Sequence, residues 1–326
     1  MRKVLVTGAS GFVGGHVAHA LRARGIAVRC LVRQSSRLDF LAPLNPEWAM
    51  GDITDPESLL HALAGIDGVV HCAGVTKASS RRDYFRVNEE GSRNLYTACA
   101  RAGGIRKIVH LSSLGALGPA RGAGPVTEDS APQPVSHYGE SKLAGQRLAE
   151  SWMRELPIGI VLPPAVYGPH DADMLAFFKC VRRGLVPLIG CRARTLSLIY
   201  AIDLAQAVVE VLVQDYAVAR SYLVEDGCTQ TWTSLAETIA QAMSLTPRFV
   251  RLPAAIPRTM GAIGDLYARC TGKAALINSQ KIRELLQDSW TCSSRRIQDE
   301  LGFRARFSLV QGIGETLAWY REQRWL

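Results

Sequence analysis

Tyr138 and Lys142 stand at i and i+4 in the run Tyr138-Gly-Glu-Ser-Lys142, which opens a helical pattern reaching to about Arg154. That spacing puts the two side chains on one face, a turn apart. A free phenol has a pKa of about 10 and is a poor base at neutral pH. A neighbouring ammonium favours the phenolate and is expected to lower that value. The same lysine has protons left to hold the hydroxyls of a bound sugar. Tyr138 would then take a proton from an alcohol or return one to a ketone. Ser113 ends a strand earlier in the chain, where its hydroxyl can bond the same substrate oxygen and steady developing charge.

A second chemical stretch opens the chain. Val4-Leu5-Val6-Thr7-Gly8-Ala9-Ser10-Gly11-Phe12-Val13-Gly14 reads as a buried strand, a glycine turn and the start of a helix. Gly8 allows the tight turn, and Gly11 leaves no side chain between the backbone and a pyrophosphate. The amides around Ser10, Phe12 and Val13 lack partners within the helix, whose dipole adds partial positive charge. Together they make an anion seat. Gly14 lets the helix pack closely on the sheet. The spacing Gly-x-x-Gly-x-x-Gly departs from the commoner Gly-x-Gly-x-x-Gly, and no Gly-Lys-Ser/Thr follows, which argues against a triphosphate loop. A glycine turn straight after an N-terminal valine-rich strand predicts a dinucleotide site.

Both stretches need a sheet to hold them. A second strand, Ile26 to Val32, ends at Arg33 with no acid to bind a ribose 2′-hydroxyl, and Arg37 follows. An arginine there can pair with a 2′-phosphate, which favours NADP over NAD. Stacking of Arg33 on adenine, open to either cofactor, is the alternative. Further strands are expected at Trp48–Met50, running into Gly51-Asp52-Ile53; at Gly68–Cys72, stopping at Ala73-Gly74; at Lys107–Leu111, running into Ser112-Ser113; and at Ile158–Leu162, closed by Pro163-Pro164. Helices at 12–24, about 84–102 (carrying Asn88) and 138–154 alternate with them. The Gly- and Pro-rich stretch 114–137 reads as a loop over the site. The fold class is therefore α/β, a Rossmann-type doubly wound parallel sheet. Gly8, Arg33, Asp52, Ala73 and Ser113 all fall at carboxyl ends of strands, where such sheets bind ligands. Later, strands are expected at 196–202 and 221–224 and helices at 204–213 and 235–243. The expected division is a dinucleotide domain over 1–165, with a returning segment near 195–230, and a smaller, mostly helical substrate domain over 166–194 and 231–326.

Composition narrows the class. The chain has 326 residues, 48% of them apolar, enough for a sizeable core. It contains no apolar run of membrane-spanning length, and the first strand starts too early to leave room for a signal peptide. The eight cysteines are scattered without a Cys-x-x-Cys pair, as expected of reduced thiols in a cytoplasmic protein. The formal charge of +9 is dispersed; it fits a solvated basic surface, with an anionic ligand or membrane surface as the alternative. No nucleic-acid motif appears. His16 and His19 lack a third ligand, and His170-Asp-Ala-Asp173 reads as a polar loop, so no metal is expected.

Over nearly its whole length the chain resembles the extended short-chain dehydrogenase/reductase family. Thr7–Gly14 matches its cofactor turn, Asp52 and Ile53 the segment whose acid contacts adenine, and Cys72, Ala73 and Gly74 the strand beside the cofactor. Asn88 matches its helix asparagine, and Ser113, Tyr138 and Lys142 its catalytic triad. Ser113 is chosen over Ser112 by its distance to Gly118. Pro163, Ala165 and Val166 lie in the segment resembling the one that holds the nicotinamide amide, and Ile199–Ala205 resembles the strand that re-enters the sheet. The resemblance implies hydride transfer between nicotinamide and a secondary alcohol or ketone, on a small-molecule substrate. Dehydratases carry Asp-Glu after the catalytic hydroxyl residue; here Leu114-Gly115 stands there. Nucleotide-sugar enzymes usually carry a diphosphate arginine at the position of Leu196, which lowers the epimerase reading without removing it, since Arg192 or Arg194 can substitute. A non-catalytic cofactor-binding protein is the remaining alternative. The nearest branch is the sterol and flavonoid reductases, with Trp232, Met260, Leu266, Tyr267 and Trp290 as a candidate apolar substrate wall. The resemblance also suggests a homodimer through the 84–102 and 138–154 helices.

Overall fold

The computed structural model describes all residues except 123, 191, 215–218, 272–274 and 276–277, together with the side chain of 269. Cys191 lies outside the described residues. Seven parallel strands form the central sheet: β1 (Lys3–Thr7), β2 (Ala27–Val32), β3 (Glu47–Met50), β4 (Gly68–His71), β5 (Lys107–Leu111), β6 (Ile158–Leu162) and, later in the chain, β10 (Arg220–Leu223). Their order is β10-β6-β5-β4-β1-β2-β3. The order reverses at β1, whose neighbours are β2 and β4, so the switch point lies between β1 and β4.

Side chains alternate across each strand, so both faces of the sheet are apolar. Val4, Val6, Val28 and Val109 pack with Val17 and Leu21 of α1 (Phe12–Ala23) and Leu204, Val208 and Leu212 of a later helix (Ala201–Val213). Leu5, Leu31, Val69 and Ile108 pack on the other face with Leu59, Leu95 and Leu148. A third cluster belongs to the second half, with Tyr167, Phe178, Leu198, Leu235, Ile239 and Tyr320 at its centre.

Three expectations change. The strand expected at 196–202 is β9 (Thr195–Tyr200), and it does not re-enter the central sheet. It pairs with β7 (Ala165–Tyr167), β11 (Thr229–Thr231) and β13 (Ser289–Trp290). The turn at Pro163-Pro164 carries β7 off the edge of the sheet and β9 follows it; β10 makes the return beside β6. Second, the helix expected from Tyr84 starts at Arg81 and contains a π-helical turn, Arg86–Glu90, before continuing over Gly91–Ala102. Third, the stretch 114–137, expected as a loop, opens on a short helix, Leu114–Leu117, and is tied down beyond it: Gln133 N–H donates to Leu117 O (2.7 Å) and Val126 N–H to Thr291 O (2.9 Å). The described cysteines are all free thiols. Among the described residues no helix is long and apolar enough to cross a membrane.

Candidate active site

The glycine turn sits at the switch point. Gly8 has φ +68°, and a Cβ there would lie 2.6 Å from Ala73 N. A Cβ on Gly14 would lie 2.2 Å from Gly8 O, so Gly14 packs the helix on the turn itself. Gly11 is the N-cap of α1, with no side-chain cap and no acid in the first turn. The positive end of this helix is therefore left uncompensated at an exposed glycine, with Ser10 exposed beside it. These residues fit a dinucleotide: a backbone cradle with no side chain in it, and donors with no internal partner.

Ser113, Tyr138 and Lys142 come together at the carboxyl end of β5. Ser136 caps the helix His137–Trp152, accepting from Gly139 N–H, and this fixes Tyr138 in its first turn. Ser113 Oγ accepts from Gly115 N–H at 3.0 Å and lies beside the Tyr138 ring: a Cβ on Gly115 would be 3.3 Å from Ser113 Oγ and 3.4 Å from Tyr138 Cε1. Ser112 faces elsewhere, donating to Gln146 Oε1 at 2.9 Å, so the pair with Tyr138 falls to Ser113.

The electrostatics depart from the expectation. Burial pushes the Tyr138 phenol up to about 12; the Ser113 bond opposes this, and Glu284, Tyr84 and Asp173 reinforce it. Burial draws the Lys142 ammonium down to about 8, with the Cys72 thiol side opposing. The ammonium donates to Leu111 O at 2.6 Å instead of standing against the phenol. A shared helix face brings the two residues close; it does not by itself aim the charge.

Asn88 ties the parts together. It is buried in the π-helical turn, accepts from Val75 N–H (2.8 Å) and donates to Val75 O (3.1 Å) and Ser141 Oγ (2.8 Å). Beneath it runs a buried chain of polar groups. Ser92 Oγ donates to Asn88 O (2.9 Å), so His71 Nε2 is the donor to Ser92 (2.9 Å). His71 Nδ1 then accepts from Thr7 Oγ1 (2.8 Å), and Thr7 Oγ1 accepts from Ala73 N–H (3.3 Å). Burial holds the His71 pKa down near 3, so the imidazole is neutral. Gly74 lies beside this network: a Cβ there would be 3.0 Å from Asn88 Oδ1 and 3.8 Å from Lys142 Nζ.

At the adenine side, Arg33 and Asp52 end neighbouring strands and pair at 3.8 Å. Burial would raise the Asp52 carboxyl, but bonds from Thr54 and the charges of Arg33 and Arg86 leave it below its usual value. Ile53 is buried, packed on Gly91. At the far end Pro163 O accepts from Leu114 N–H (2.8 Å), Ala165 is exposed and Val166 half-buried. Among the described residues no group of acids, histidines and cysteines could hold a metal.

The second half reaches the site through residues the sequence reading missed. Glu284 accepts from Ser136 Oγ (2.6 Å), and Gln280 accepts from the His137 amide (3.1 Å). Trp290 Nε1 donates to Glu284 O (2.9 Å). Of the expected apolar wall, Trp232 packs edge-on against Phe177 in the third core cluster, while Met260, Leu266 and Tyr267 face outward. Their helical spacing marks one apolar face but not which way it points.

A family model described as the NAD dependent epimerase/dehydratase family matches residues 4–224. Among curated relatives, a ceramide reductase of Caulobacter vibrioides is 33% identical over 325 residues, covering 99% of this chain and 96% of that one. The N-acetyl-alpha-D-glucosaminyl-diphospho-ditrans,octacis-undecaprenol 4-epimerase of Escherichia coli O157:H7 is 24% identical, covering 96% and 94%. A UDP-glucose 4-epimerase of Thermotoga maritima shares the fold with a TM-score of 0.81 at 20% identity, covering 99% of each chain.

Asn88→Ala removes every side-chain bond joining Val75 to Ser141 and leaves the half-buried Val75 N–H without its acceptor. We expect a loss of about 1–3 kcal/mol of stability, read by urea unfolding. A change within about 0.5 kcal/mol, the range of ordinary surface substitutions, would show that the network is not structural.

Proposed function

The chain belongs to the NAD dependent epimerase/dehydratase family, a family of NAD-dependent enzymes, and from there we propose that it moves hydride between a nicotinamide dinucleotide and a secondary alcohol or ketone. The supporting observation is the Ser113 hydroxyl beside the Tyr138 ring, with Lys142 one turn behind, on the same sheet edge as the bare glycine turn. Gly8, Gly11 and the amides of Ser10, Phe12 and Val13 would seat the pyrophosphate. Asp52 would meet adenine, Cys72, Ala73 and Gly74 the middle of the cofactor, and Pro163, Ala165 and Val166 the carboxamide. When bound, the nicotinamide supplies or takes the hydride.

The remaining work falls to this chain's own groups. Ser113, whose oxygen is held by Gly115 N–H, would turn its hydroxyl proton to the substrate oxygen. Tyr138 Oη gives its proton to that oxygen in reduction and takes it back in oxidation. Lys142, a three-proton donor with one bond made to Leu111 O, has others for ribose hydroxyls. Asn88 acts as a positioning residue, through Ser141 and Val75. We assign residues 166–194 and 231–326 to substrate binding, and the pairing of two copies to the helices over 81–102 and 137–152. For the substrate we favour a bulky lipid; the relatives named for ceramide and for undecaprenol-linked sugar support this. NADP is favoured over NAD because β2 ends in Arg33 and not in an acid. The second reading is epimerisation with tightly held NAD, which the relative from Escherichia coli supports; NAD retained through purification with no net turnover of added cofactor would select it.

Tyr138→Phe is expected to lower kcat for ketone reduction by about 10²–10⁴-fold with dinucleotide affinity kept within about twofold. Undiminished turnover would overturn the assignment. Lys142 loses its proton as pH rises through about 8, so kcat/KM should fall along a limb near that pH. In Lys142→Met the limb should be absent from an already lowered rate. For the cofactor, a charge-assisted contact is worth about 1.5–3 kcal/mol. Arg33→Ser should therefore cut the ratio of kcat/KM for NADPH over NADH by about 10-fold or more, and an unchanged ratio would remove the NADP preference.

A further inference from the structure

The apolar residues that face away from the site form a surface of their own. The helix Ala255–Thr271 carries Ile256, Met260, Ile263, Leu266 and Tyr267, which are 45%, 46%, 63%, 61% and 50% exposed. Ile256, Met260, Ile263 and Tyr267 recur at i, i+4, i+7 and i+11, so they make one stripe, with Leu266 beside it. A neighbouring face is the packed one: Pro257 and Gly261 are buried, and a Cβ on Gly261 would lie 3.1 Å from Ser279 and Ile282. Scattered exposed apolar side chains need no explanation; a row of them along one helix does.

The flank of this helix is basic. The strands Leu185–Ile189 and Arg248–Leu252 pair in parallel and lead into it, with Leu185 and Val250 56% and 43% exposed. Arg182, Arg183, Arg248, Arg251 and Arg258 are all exposed along the same segments. None of them forms an ion pair with a described residue. Between residues 245 and 268 the only acid is Asp265, whose carboxylate accepts from Ser279 N–H.

We propose that this face docks the protein on an anionic lipid surface, with the stripe in the acyl boundary and the arginines against the headgroups. An apolar row flanked by cations is the pattern of helices that lie in a bilayer interface. A second copy of the chain fits less well. A two-fold pairing would bring the same uncompensated arginines face to face. The helix packs on Ser279–Leu285, which carries Gln280 and Glu284 to Ser136 and His137. Docking would therefore hold the mouth of the site near the lipid. The docking stands apart from the reaction proposed above and is read without any turnover.

The test sediments the full chain with phosphatidylcholine vesicles and with vesicles that also contain phosphatidylglycerol. Binding is expected to the second kind, to weaken in high salt, and to fall by about tenfold or more in Ile263→Glu/Leu266→Glu. Arg248→Glu/Arg251→Glu should weaken it through charge alone. These side chains are exposed, so the thermal midpoint and dinucleotide affinity should be retained; the salt series on the unmodified chain needs no variant. Absence of binding to either vesicle overturns the proposal. So does binding that salt and all four substitutions leave unchanged. A dimer in solution that Ile263→Glu/Leu266→Glu splits, without vesicle binding, would assign the face to a second copy and overturn it as well.

Discussion

The structure turns on drawing an ammonium and a phenol away from water at one end of the sheet. Desolvation acts oppositely on the two groups: it penalises the charged lysine and the charged phenolate alike. Lys142 is drawn down to about 8 and Tyr138 pushed up to about 12, so at neutral pH the proton stays on the phenol. Tyr138 in this state is an acid. That favours donation to a carbonyl oxygen over removal of a proton from an alcohol. The Ser113 hydroxyl opposes burial at the phenol, so the serine bears on its acidity.

Such burial is stable only where every neighbouring polar group is satisfied. The chain Thr7–His71–Ser92–Asn88 does this across three elements, and it begins at the residue before Gly8. The glycine turn and the helix that carries Tyr138 are thus joined by side-chain bonds as well as by the sheet. His110 is the exception: Tyr96 bonds its Nδ1 at 2.7 Å, while its Nε2 is buried without a partner. It is held neutral by burial and by the charge of Lys142. A neutral ring there adds no second positive charge near the ammonium.

Much of this was legible in the sequence because parallel strands are continuous apolar runs. Lys107–Leu111 and Ile158–Leu162 fall on the expected residues, and the glycine turn needed no context beyond the strand before it. The serine-to-glycine spacing chose Ser113, and the structure aims Ser112 at Gln146. Other features carry no local signal. The i, i+4 spacing of Tyr138 and Lys142 fixes a common face, yet the direction of the ammonium depends on Leu111 O, a backbone atom on another element. Thr195–Tyr200 and Arg220–Leu223 both look like strands; which one joins β6 is decided by the turn at Pro163-Pro164. The stripe from Ile256 to Tyr267 reads the same whether it lines a pocket or meets the outside.

Gln280 and Glu284 show why the second half was hardest to read. Nothing in Ser279–Leu285 marks it as part of a site, and its contacts are far away in the chain. Yet Glu284 raises the Tyr138 phenol while bonding Ser136, the cap that sets Tyr138 in place. The acid strength of the phenol therefore depends on where this short helix sits. A substrate that displaced it would take a negative charge from the phenol and ease its ionisation. The same helix is the one on which the exposed amphipathic helix packs.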